Sequence, residues 1–219
     1  MTLNRGNFTL PEADAYLNRE PDMQVQPLSD RLYTVSDGQG RTLFVAGKSG
    51  VIAFDTFGTP GKARAYQKAI AATLPGAPIS TVIYTHDHLD SAGFAADLAP
   101  GAEIIADEMC AKVVKLRGAQ GQLQATRVLT GERNELLIDG VDLVLLNPGP
   151  THGSGNLAAW FRDEGILFSA DTVLAIAKYG FMPDNHFDNF DQFMSGFLDL
   201  EWVRFVPGGY VMKDRGGLE

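Results

Sequence analysis

Two histidines and an aspartate stand two residues apart, as His86, His88 and Asp90, at the end of an apolar run. Imidazole nitrogens and a carboxylate gathered at one strand end suit a divalent ion of the zinc or iron type. Such an ion lowers the pKa of a bound water toward neutrality, and a nearby carboxylate orients that water or takes its proton. Asp90 has a second reading, as the N-cap of a helix that begins at Ser91. His152, in Pro150-Thr151-His152-Gly153-Ser154-Gly155, and Asp171, in Leu167-Phe168-Ser169-Ala170-Asp171, also follow apolar runs. Glycine and proline around such positions permit tight turns that aim side chains into a shared cleft. Asp171 reads otherwise as a strand-end turn residue. Asp55 ends Val51-Ile52-Ala53-Phe54-Asp55 and is expected to hydrogen-bond the ligand loops rather than bind an ion. The fourth histidine, His186, lies in Pro183-Asp184-Asn185-His186-Phe187-Asp188, either as a surface residue or as a substitute ligand or substrate contact. Ser91 is a helix cap or a substrate donor, with no base assigned to make it a nucleophile.

The elements that must position these groups follow from local pattern. Ile79-Ser80-Thr81-Val82-Ile83-Tyr84 is dominated by β-branched and aromatic residues, which predicts a buried strand. If extended geometry persists past it, His86 and His88 point the same way. Strands are expected over 32–35, 42–46 and 50–54. The turn formers Asp37-Gly38-Gln39-Gly40 and Gly47-Lys48-Ser49-Gly50 separate them, so the three form an antiparallel meander. A helix over 61–74 carries Ala63, Tyr66, Ile70 and Leu74 at helical spacing. Further on, 94–98 and 108–117 read as helices, 103–106 as a strand, and 117–122 as a loop flanking a cleft. Residues 136–138 and 141–146 pair across Asp139-Gly140, and 157–161 with 166–169 across Arg162-Asp163-Glu164-Gly165. A helix at 190–200 and a strand at 203–206 close the pattern. Strands outnumber helices but helices intervene, which gives an α/β layered domain.

At 219 residues the chain is expected to form a single domain over 26–219 behind a polar arm at 1–25. The abrupt Gly216-Gly217-Leu218-Glu219 reads as a truncation. Eighteen basic against twenty-seven acidic residues give a net charge of −9, which argues against a nucleic-acid partner. Cys110 is the sole cysteine, so a cysteine-based zinc cluster is excluded, and its place in a helix suits a small buried apolar residue. No apolar run reaches membrane-spanning length and the N-terminal stretch lacks a signal-peptide pattern. A cytoplasmic location with no membrane partner is the expectation; the partner sought is a small-molecule substrate, and a homodimer stays open.

Taken together, Asp55-Thr56, His86-Asp87-His88-Leu89-Asp90, Thr151-His152-Gly153, Ser169-Ala170-Asp171 and Val206-Pro207-Gly208-Gly209 resemble, in order and spacing, the metallo-β-lactamase fold superfamily. The resemblance covers roughly residues 30 to 210. It implies an α/β fold, a four-layer αββα sandwich of two mixed β-sheets, with metal held at one edge between the sheets. By the same resemblance His86, His88 and His152 match the first metal site, Asp90 the second, and Asp171 the carboxylate that bridges the two metals in many hydrolases. Two positions depart from the family: Ser91 and Gly209 stand where histidines of the second site are usual. Both losses fall on one site, so one divalent metal is expected, zinc in the first place, with iron or manganese as alternatives.

Three functions remain open. One is a hydrolase of an ester, lactone, thioester or amide, with water activated at a single metal and assisted by Asp90. Another is a non-haem iron dioxygenase of the persulfide dioxygenase type, with His86, His152 and Asp171 as a facial triad. The last is a non-catalytic binding module that keeps the fold. Phe57, Phe181, Met182, Phe187 and the 117–122 loop are candidates for an apolar rim, or else ordinary packing.

Overall fold

Val51–Phe54 is buried along its whole length, and a strand buried on both faces needs cover on both. The computed structural model, which describes residues 10–172, 190–209 and 212–214, supplies that cover as a second sheet on one side and helices on the other. His186, Phe181, Met182 and Phe187 lie outside the described residues.

The first sheet begins where the sequence reading expected only a polar arm. Helix α1 (Leu10–Asn18) is followed by β1 (Gln24–Pro27), an exposed edge strand with too few apolar residues to announce itself. The expected meander follows as β2 (Leu32–Ser36), β3 (Arg41–Ala46) and β4 (Val51–Phe54), all antiparallel. Helix α2 (Pro60–Thr73) then crosses to β5 (Ile79–Ile83). It is capped by Thr59, whose side chain accepts from the Lys62 amide, and starts with a proline at its first turn. Two single-turn helices, α3 (Leu89–Ala92) and α4 (Ala95–Leu98), lead to β6 (Glu103–Asp107), and α5 (Glu108–Arg117) leads to β7 (Arg127–Leu129). Strands β4 to β7 run parallel, and the order is β1-β2-β3-β4-β5-β6-β7.

The second sheet has the order β13-β12-β11-β10-β9-β8. It is built from β8 (Arg133–Ile138), β9 (Val141–Leu146), β10 (Ala158–Phe161) and β11 (Ile166–Ser169), then α6 (Phe190–Leu198), β12 (Arg204–Pro207) and β13 (Lys213–Asp214). Asp139 and Gly140 turn β8 into β9 with φ of 48° and 80°, the left-handed pair that a two-residue hairpin asks for.

Ile52, Phe54, Ile83 and Ile105 from one sheet meet Leu143, Phe161, Phe168 and Val206 from the other in the central core. Tyr66, Ile70 and Val114 cover the outer face of the first sheet, and Phe197 with Trp202 the outer face of the second. The expected αββα layering is therefore present. Its two ends differ. Asp55, His86, Asp107, Asn147, Asp171 and Gly208 lie at or just past the C-terminal ends of β4, β5, β6, β9, β11 and β12 and share one end. The turns at 47–50, 139–140 and 162–165 share the other.

Candidate metal centre

Strand β5 stops at Ile83, so extended geometry does not carry His86 and His88 to one side. The intervening loop does so instead. His88 occupies the N-cap position of α3 with extended φ and ψ of −63° and 140°, and Asp90 lies in that helix's first turn. The cap reading of Asp90 is thus corrected: the turn begins two residues earlier. The loop from β9 to β10 brings His152 across from the second sheet. Ring centroids of the three histidines lie 4.7 to 5.0 Å apart, each ring steeply inclined to the other two. Their nitrogens fall within 4.8 Å of one another, a group that could hold a metal ion. His86 is 2% exposed, and its Nε2 is buried without a hydrogen-bond partner. Burial, reinforced by repulsion from His152 and His88, pushes its pKa far down, so a neutral imidazole with a lone pair to give is the stable form.

The other nitrogen of His86 explains which lone pair that is. Asp55 accepts from the Thr85 amide at 2.8 Å and from the Thr85 hydroxyl at 2.7 Å, and that hydroxyl oxygen lies 2.9 Å from His86 Nδ1. With Asp55 ionised, the hydroxyl proton is committed to the carboxylate, so Nδ1–H donates to the hydroxyl and Nε2 is left bare. The expected supporting role of Asp55 is realised through Thr85 rather than directly. Burial raises the Asp55 pKa to about 7, opposed by the Thr85 hydrogen bonds and aided by Asp171 and Asp90. Asp55 also sits at φ 52° and Phe57 at φ 64°, conformations that cost a non-glycine residue about 1–3 kcal/mol each.

Asp87, between the two histidines, is held from the first sheet's helix layer. Arg117 Nη2 donates to its carboxylate at 2.7 Å, Arg117 Nη1 reaches its carbonyl, and Gln122 Nε2 donates to that carbonyl at 2.9 Å. The 117–122 loop is therefore a polar clamp rather than an apolar rim. On the other side, Asn147 Nδ2 donates to Asp107 at 2.5 Å, while Asp107 also caps α5. Asn156 accepts from the Gly153 amide at 2.9 Å and returns a bond to its carbonyl at 2.8 Å. A Cβ at Gly155 would stand 2.0 Å from Asp107 Oδ1, so the loop carrying His152 packs against α5 only because that residue is glycine. The Leu157 amide donates to the Thr85 carbonyl at 2.7 Å, joining the two histidine loops. Cys110 is fully buried beside this network with its thiol pKa pushed up by burial, as its inert reading required.

Asp171 comes within 3.7 Å of His86 Nε2 and accepts from Ser91 Oγ at 3.4 Å. Its pKa is raised, first by burial and further by Asp90, against the pull of His152. Asp90, Ser91 and Asp171 also line a pocket of about 250 Å³ with Arg41, Phe57 and Lys62. Gly209 follows Gly208 of that wall, and a Cβ on it would meet the Gln39 carbonyl at 3.9 Å. Local sequence gave no sign of Thr85, Arg117 or Asn147, whose partners are not set by strand or helix period; the one available signal was a threonine directly before the first histidine.

A family model described as the metallo-beta-lactamase superfamily matches residues 35–196. The chain belongs to that superfamily. A metallo-β-lactamase from Hirschia baltica superposes with a TM-score of 0.74 at 19% identity, covering 91% of this chain and 95% of that one, a likeness of fold alone. Two curated relatives come from Nocardioides sp. (strain JS1661). One, named 2,4-dinitroanisole O-demethylase subunit alpha, is 46% identical over 201 residues, covering 91% of this chain. The other, named as subunit beta, is 36% identical over 195 residues, covering 89%. The chain spans 61% of the length of each. Among the described residues no helix is long and apolar enough to cross a membrane.

Proposed function

We propose that this superfamily member is a hydrolase that works with one divalent ion, zinc in the first place, on His86, His88 and His152, and cleaves an activated aryl methyl ether. The single observation that carries the reading is the buried, unpartnered Nε2 of His86 facing two further imidazoles. Nitrogen donors and a neutral His86 suit zinc, with iron or manganese as alternatives. When bound, the ion would lower the pKa of a water toward neutrality. Asp171, near His86 Nε2, stands where it can add a carboxylate ligand.

The substrate class is taken from the alpha- and beta-type relatives, whose names give an O-demethylase of a dinitroaryl methyl ether. Asp90 takes a proton from water as the water oxygen adds to the ring carbon bearing the methoxy group. Electron-withdrawing substituents hold the charge that enters the ring. The ring–oxygen bond then breaks, and the proton returns to the departing methoxide. The sum is aryl methyl ether plus water giving phenol plus methanol, with no change of oxidation state. Ser91 and His186 are proposed substrate contacts, Ser91 through its place on the pocket wall. Because the relatives are named as subunits, we include assembly with a second, related chain in the proposal.

The test supplies 2,4-dinitroanisole to zinc-loaded protein, with and without a beta-type partner chain. Methanol, and ¹⁸O from labelled water in the phenol, are the expected outcome. Formaldehyde with oxygen uptake would move the reading to the iron oxygenase. No turnover of this ether or of activated esters by fully metallated protein overturns the hydrolase.

A further inference from the structure

We propose that the 250 Å³ pocket walled by Arg41, Phe57, Lys62, Asp90, Ser91 and Asp171 is a binding site for a single electron-poor aromatic ring, seated with its reacting edge toward Asp90 and Asp171. The inference rests on the aryl ether reading above and names where that ring goes.

Position comes first. Asp171 belongs both to the pocket wall and to the histidine centre, 3.7 Å from His86 Nε2. A molecule in the pocket therefore reaches Asp171, the carboxylate that borders the histidine centre. Asp90, the proposed base, lies on the same wall.

Size comes next. Pockets for drug-sized ligands occupy about 300–1,000 Å³, and this one is below that range. Its walls resist widening, because backbone meets backbone behind them. A Cβ on Gly58 would lie 2.8 Å from the Asp90 Cα, and one on Gly208 would lie 2.9 Å from the Ala170 backbone. The small volume and fixed walls favour one ring with short substituents over two fused rings.

Chemistry completes the argument. Phe57 offers the aromatic wall, held edge-on against Tyr66 with centroids 5.5 Å apart. Its backbone is in the left-handed region at φ 64°. Arg41 and Lys62 supply positive charge along the same lining. Lys62 is anchored there by Asp37 at 2.6 Å and by Gln39 at 3.4 Å. Nitro or similar acceptor groups on the ring would face these cations. Charge pushed into those groups during attack is stabilised by the cations that line the same pocket.

A larger groove, of about 690 Å³, lies beside the 147–149 segment and is lined by Glu108, Arg133, Asn147, Gly196, Phe197 and Leu200. It is the competing location, and the two are separable because each contains a glycine with room for a side chain. A Cβ at Gly40 would meet its nearest neighbour at 3.9 Å, and one at Gly196 would meet nothing within 4 Å.

The experiment measures equilibrium binding of 1,3-dinitrobenzene, which has no leaving group, to zinc-loaded protein. Wild-type protein is expected to bind it at least tenfold more tightly than 1,5-dinitronaphthalene. Gly40→Leu is expected to weaken 1,3-dinitrobenzene at least tenfold while retaining wild-type zinc content and melting temperature; Gly40→Val serves if Gly40→Leu does not fold. Gly196→Leu is expected to bind as wild type. Wild-type binding in a folded pocket-filling variant, loss of binding in Gly196→Leu, equal binding of the fused-ring probe, or no binding by wild type would each overturn the proposal. Binding without turnover would leave the pocket standing and remove the hydrolase. Turnover that Gly40→Leu does not affect would do the reverse.

Discussion

The same strands build both ends of the sandwich, under opposite electrostatic rules. At the turn end, Asp139 accepts from the Ser49 amide and hydroxyl at 2.9 Å each and from the Gly50 amide at 2.8 Å. Arg31 bridges to Glu164 at 2.7 Å and to the Gly140 carbonyl at 3.3 Å. Charges there are met by dipoles and opposite charges from the facing sheet. At the histidine end, Asp55, Asp90 and Asp171 repel one another, and a buried imidazole nitrogen has no hydrogen-bond partner. Two non-glycine residues, Asp55 and Phe57, adopt left-handed backbone there, against Asp139 alone at the turn end among the described residues. Strain and charge crowding of this kind persist only where the surroundings over-determine them. The turn end supplies part of that determination by fixing how the two sheets meet, through Asp139 and Arg31, although Arg162 Nε and Glu164 Oε2 lack hydrogen-bond partners there.

The strongest way to break this contrast is His86→Ala. Removing one of three imidazoles, from a site with no other histidine among the described residues, is expected to abolish stoichiometric zinc binding, read by elemental analysis after dialysis, and with it all turnover. A variant that still holds one ion per chain would show that the three histidines are not a unit.

Next is the pH dependence of metal-free stability. Folded Asp55 keeps its proton to about pH 7, whereas an unfolded aspartate releases it near 4. The folded state thus binds more protons between those values, and stability falls as pH rises through the window. The effect is on the order of a few kcal/mol. Asp55→Asn is expected to flatten the profile in urea titrations at pH 4 to 7; an unchanged slope would remove Asp55 as its source.

Thr85→Val keeps the side-chain shape and deletes the hydroxyl between Asp55 and His86. Loss of such an orienting partner lowers metal affinity roughly 10- to 100-fold. A competition titration with a chromophoric chelator measures it, and Thr85→Ser should restore most of the affinity.

The smallest effect on the site belongs to the turn end. Asp139→Ala should lower the melting temperature and leave zinc affinity unchanged. The Asp139 pKa is depressed by hydrogen bonds from Ser49 and Gly50, so its contribution is present above the unfolded value and lost as pH falls through the folded one. Asp55 and Asp139 therefore give opposite pH slopes, one at each end.

What was legible in the sequence was what local pattern encodes. The meander, the Asp139-Gly140 hairpin and the strand at 79–83, buried over its last three residues, follow from alternation and turn chemistry. The convergence of His86, His88 and His152 followed from the motifs as an ordered set. Strand β1 escaped because an exposed edge carries no apolar period. Arg117 and Asp87 escaped because a contact thirty residues apart depends on how α5 lies on the sheet. The detailed aim of His88 escaped because a cap conformation, not a strand, sets it.

The bond from the Leu157 amide to the Thr85 carbonyl spans the seam between the sheets. His86 and His88 belong to the half of the chain completed first, and His152 to the half completed later. An ion held by all three is then a rivet between two separately synthesised layers. Its capture would report the moment when they dock, and its escape rate would time how often they part.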